Sequence, residues 1–115
     1  MTDETTLLAI EAAAEAARIR HNRALAARSK IIAGASPVRN HALTAADVIL
    51  ADELETIAND HARRAYRSPA TRSLHEAAAR ARYRAATACA DAMFDTACAE
   101  AETAYANIAD GQDHE

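Results

Sequence analysis

Tryptophan is absent from this chain, and other rings are scarce: one Phe and three Tyr. A core here cannot be filled by bulky side chains, so helices must approach closely. Glycine and proline occur twice each, too seldom for the many turns of an all-β fold. Cysteine also occurs twice, as Cys89 and Cys98. The two lie on opposite sides of one predicted helix and cannot bridge each other there. Reduced thiols and a cytoplasmic location are the expectation. No run of about 18 apolar residues exists, so no membrane span is expected. The first residues lack the basic start of a signal peptide.

What fills the chain is alanine. Hydrophobic residues make up 50% of the sequence, and much of that share is the strongest intrinsic helix former. The stretch Ser73–Asp110 holds neither Gly nor Pro. It reads as one long helix. Two starts are available. Ser73 opens a Ser-x-x-Glu capping box with Glu76. Ser68-Pro69 offers an N-cap followed by proline at the first helical position. Gly111 is the natural stop.

Tyr83, Phe94 and Tyr105 recur every eleven residues, and so do Ala79, Ala90 and Ala101. Eleven residues make about three turns, so such positions hold one nearly straight stripe. Rings among alanines at this spacing read as a packing seam rather than a ligand box.

Upstream, the sequence predicts a first helix over about 3–33, closed by Gly34 and barred from resuming by Pro37. Leu7, Ile10, Ala14, Ala17, His21, Ala24, Leu25, Ile31 and Ile32 share its main apolar face. Leu8, Ala12, Ile19 and Ala26 form a weaker second strip, which suggests two neighbours. GASPVRNHAL reads as a loop. Thr44 and Asp47 then form a capping pattern for a helix over 44–67, with Leu43, Leu50, Leu54, Ile57, His61 and Ala65 on one face. The expectation is therefore one all-α domain over 1–115. Its architecture is an antiparallel three-helix bundle, with helices near 3–33, 44–67 and 69/73–110 and a tail at 111–115.

Charge arrives in blocks. Residues 1–17 carry four acids, 18–39 six bases, 47–60 five acids, 63–84 seven Arg and one Glu, and 85–115 seven acids. In a three-helix bundle these blocks would face opposite charge on neighbouring helices. Surface pairs of this kind are each worth about 0–1 kcal/mol, so they choose register and partner more than they stabilise. The long third helix starts basic and ends acidic, against its own dipole. That reversal suits an antiparallel copy of itself, and a homodimer through this helix is a second expectation.

No catalytic arrangement stands out: there is no glycine-rich phosphate loop and no nucleophile with a base at suitable spacing. The chain reads as a non-enzyme with no catalytic residues, metal or cofactor. His21 and His61 sit on apolar faces without metal-ligand spacing, so core histidines are the stronger reading, and a metal- or cofactor-binding bundle is the last alternative. The segment RIRHNRALAARSK is basic enough for phosphate. A net charge of −4 and the lack of interleaved rings make nucleic-acid association the weaker alternative.

The favoured function is a protein–protein interaction module: an adaptor, a structural subunit or a small inhibitor of a larger complex, such as one encoded by a phage or mobile element. Its expected contact is the basic joint, Arg63, Arg64, Arg67, Arg72, Arg80 and Arg84, against an acidic protein surface. The rival expectation is that Asp3, Glu4, Glu11 and Glu15 lie beside this joint and neutralise it.

Overall fold

A computed structural model of the protein describes residues 2–63 and 68–111. It contains two long helices, α1 over Thr2–Ala62 and α2 over Pro69–Ala109. Among the described residues there is no third helix, so the three-helix bundle is overturned.

The error lies at one place. The predicted loop GASPVRNHAL is helical throughout, with Pro37 inside α1. Proline in a helix interior removes one backbone bond and crowds the preceding turn, at about 3 kcal/mol. Two features offset that cost. Ala33, whose carbonyl loses its donor, is exposed, as are Gly34 and Pro37, so water reaches the freed group. The helix is also held on both sides of the proline. Arg28 reaches Glu102 at 3.7 Å before it, and Arg39 reaches Asp91 at 2.9 Å after it. Helices draw most of their stability from tertiary packing, and local breakers yield to it. A Cβ added at Gly34 would meet nothing, so no close approach demands glycine there.

The capping signals sort themselves accordingly. Ser68 and Pro69 start α2: the Ser68 hydroxyl accepts from the Thr71 amide at 3.3 Å. Gly111, with φ of 75°, stands just past its end. Thr44 and Ser73 lie inside helices, where their patterns cap nothing. Asp47 instead accepts a bond from Tyr83, and Glu76 pairs with Arg72 and Arg80.

By contacts the chain divides into two units, residues 1–35 with 96–115, and residues 36–95. Within the first, His21 meets Tyr105 and Arg28 meets Glu102. Within the second, Arg39, Asp47 and Glu53 meet Asp91, Tyr83 and Arg82. In each unit numbers rise on α1 as they fall on α2, so the segments pair antiparallel.

Among the described residues the buried positions are Ala24, Ala46 and Ile57 on α1 and Ala79, Ala90 and Ala101 on α2. On α2 they stand eleven apart. On α1, Ala46 and Ile57 do too, and Ala24 lies twice that distance upstream. In the second unit Ala79 falls alongside the stretch between Ala46 and Ile57. In the first, Ala101 lies about one turn beyond Ala24. Alanines thus interleave within each unit, and among the described residues no large side chain is fully buried. The expected sandwiching of the first helix between two neighbours does not occur: residues 3–23 are all exposed, including Leu8 and Ile19 of the second strip.

Two stability predictions follow from this packing. P37A restores the missing backbone bond and should raise stability by about 1–3 kcal/mol in urea titration; an unchanged or lower midpoint would show that proline shapes the helix rather than merely interrupting it. A79L forces a larger side chain into a close contact and should cost about 1–3 kcal/mol, whereas the same change at exposed Ala77 should leave the midpoint in place.

Candidate interaction surfaces

The basic joint comes first. Arg64 and Arg67 lie outside the described residues. Arg63 is exposed just past the end of α1. Arg72 and Arg80 both grip Glu76, at 2.9 and 3.5 Å, one from each side along α2. Arg82 reaches across to Glu53 on α1, and that carboxylate holds its guanidinium pKa above the ordinary value. Arg84 is exposed, and its carbonyl accepts from the Thr87 hydroxyl.

Asp3, Glu4, Glu11 and Glu15 belong to the first unit, whereas the joint belongs to the second. Glu15 is instead bonded to Arg18, which holds the carboxyl below its usual range. Glu53 and Glu76 provide the countercharge for Arg72, Arg80 and Arg82.

The rings form the second surface. Tyr83, Phe94 and Tyr105 are all half-buried on α2. In the first unit the Arg28 guanidinium lies 4.9 Å from the Tyr105 ring centre. In the second, Arg39 lies 5.1 Å from that of Phe94. A cation over a ring face is attracted by the ring quadrupole, by about 0.5–1 kcal/mol at sites as open as these. Arg28 and Arg39 repeat at the same eleven-residue interval as the rings they cover. Leu50, next in that series, is not charged, and Tyr83 donates its hydroxyl to Asp47 at 2.7 Å instead. These Arg–ring pairs are not legible in the sequence of either helix alone, since cation and ring come from different helices. The shared interval was the available signal.

His21 and His61 do not form a pair within either unit, for they belong to different ones. His21 is exposed rather than core, and shares a hydrogen bond of 3.0 Å with the Tyr105 hydroxyl. His61 is half-buried. Among the described residues no three His, Cys, Asp or Glu side chains gather as a metal would need. Cys89 is exposed and Cys98 half-buried, both as free thiols.

The third surface was not singled out from sequence as a contact. Among the described residues nine large apolar side chains stand exposed, including Leu7, Leu8, Ile10, Val38, Ile49 and Met93. Near Ile49 an apolar groove runs between the helices, bordered by Ala46, Leu50, Ala79 and Ala86. Leu7, Leu8 and Ile10 lie on the part of α1 that α2 leaves uncovered.

Bonding to Asp47, then the nearby negative charge, raises the Tyr83 phenol above its ordinary value of about 10. The neutral phenol is the form that donates, so this bond is present below pH 10 and is lost as pH rises through the raised value. In a variant with Tyr66 and Tyr105 changed to Phe, D47N should shift the ultraviolet titration of Tyr83 to lower pH; coincident curves would show that Asp47 does not hold the phenol in solution.

No protein-family model, curated protein or solved structure matches this chain.

Proposed function

We propose that the protein is a non-enzymatic interaction module, acting in the cytoplasm by binding a larger protein assembly as an adaptor, subunit or small inhibitor. The observation that carries this reading is the inverted distribution of apolar side chains. Buried positions are small, five Ala and one Ile among the described residues, whereas nine large apolar side chains face solvent. Single exposed apolar residues are ordinary, but a fold that buries alanine and presents Leu, Ile, Val and Met has its larger apolar surface available to a partner.

The basic joint is the proposed contact for an acidic patch on that partner. One carboxylate, Glu76, serves two guanidinium groups, and Arg63 and Arg84 stand exposed. Arginine suits such contacts because its planar fork meets carboxylates with two bonds. Engagement of Arg72, Arg80 and Arg82 by carboxylates weighs against nucleic acid as the preferred partner.

The test starts with capture of a partner from the native host by the full chain, followed by binding measured across salt concentrations. Changing Arg63, Arg64, Arg67 and Arg72 together to Gln should weaken that binding roughly tenfold, about 1.4 kcal/mol, and flatten its salt dependence. Unchanged affinity and salt slope, with helicity intact by circular dichroism, would remove the joint from the contact.

A further inference from the structure

We infer that the uncovered start of α1, residues 3–20, pairs antiparallel with the same stretch of a second copy. This contact is separate from the basic joint and does not depend on it.

Where α2 ends, α1 continues. Gly111 lies beside the Arg20 guanidinium, within 4 Å of where a Cβ would stand, and every described side chain before His21 is exposed. The face of α1 that α2 covers at His21, Ala24 and Arg28 runs on toward the N-terminus through Ala17, Ala14, Ile10 and Leu7. Leu7 and Ile10 are 58% and 59% exposed. The bare face is thus a continuation of the α1–α2 seam, with α2 no longer there to cover it. It spans roughly 27 Å at 1.5 Å per residue.

The spacing of this face is its own complement. Leu7, Ile10, Ala14 and Ala17 follow the three-four alternation of a coiled-coil seam. A twofold axis near residue 12 sets Leu7 against Ala17 of the second copy, and Ile10 against Ala14. Each large side chain meets a small one, as interdigitation requires. A twofold contact must match a surface to itself, and this one does. The same axis brings Glu4 on the flank of one helix toward Arg18 of the other, twice over. Its one unfavourable contact is also fixed by symmetry: Glu11 approaches its own counterpart.

The length agrees as well. A second copy laid on this face reaches Arg20, where Gly111 marks the end of α2, and each chain then covers the stretch that the other leaves bare. A lipid surface fits less well, because membrane-bound amphipathic helices carry mainly Lys and Arg on the polar face, whereas residues 3–17 carry Asp3, Glu4, Glu11 and Glu15 and no base. Five turns of a two-helix contact fall short of a standard interface of about 1,200 Å² or more, so the dimer is weak and concentration-dependent.

Sedimentation equilibrium of the full chain, from low to high micromolar, should show a species rising from 12.2 kDa toward twice that mass. I10D should raise the dissociation constant on the order of tenfold or more while leaving helicity unchanged, since α2 does not cover this residue. E11Q should tighten the dimer. E4R alone and R18E alone should each weaken it, and an equimolar mixture of the two variants should restore it, because each reversed charge then meets its opposite on the other chain. A monomer at every concentration overturns the inference, whether or not a host partner binds at the joint. So does a dimer indifferent to I10D, or a mixture no better than its components. Vesicles of phosphatidylcholine with phosphatidylserine serve as the competing surface: binding to them that I10D abolishes, without dimerisation, would assign the face to lipid instead.

Discussion

Close contact between alanines is the constraint on which the structure depends. A side chain of one carbon leaves little to hold two helices together except proximity, and proximity depends on the small size of every residue at the contact. In each unit the fully covered positions are almost all alanine, and the larger residues are displaced to the flanks. Ile57 is the one exception among the described buried residues. The stripe recurs at eleven residues, the interval at which a nearly straight helix returns to the same side.

Because the seam is narrow, its flanks carry polar work that a wider core would have excluded. Arg28 lies over Tyr105 and also reaches Glu102. Arg39 does the same with Phe94 and Asp91. Each arginine therefore joins α1 to α2 through its charge and through a ring face. Such bonds are modest one at a time in water-exposed settings. Their value is directional: they specify which turn of α1 stands against which turn of α2, a choice that interchangeable alanines leave open.

The same economy leaves apolar surface uncovered. In a wider core Leu7, Ile10, Val38, Ile49 and Met93 would be filling material. Here they stand outside a seam that has no space for them, and in the first unit α1 continues past the end of α2. The charges on this chain follow the helices rather than a bundle. Carboxylates on the same helix or on the facing segment provide the nearest countercharge for Arg18, Arg72, Arg80 and Arg82.

Sequence by itself determined the helical class, the eleven-residue interval and the stop of α2, and narrowed its start to two candidates. Each of these is a local matter: alanine favours helix, the interval follows from helix pitch, and Ser68-Pro69 and Gly111 act on their own neighbours. Tertiary structure decided the number of helices. Gly34 and Pro37 make a strong local signal for a break, and capping patterns at Thr44 and Ser73 look the same whether or not a helix starts there. A break is avoided only if bonds made elsewhere outweigh one lost backbone bond, and those bonds link residues more than fifty apart in the chain, such as Arg39 and Asp91. No local pattern records such long-range bonds.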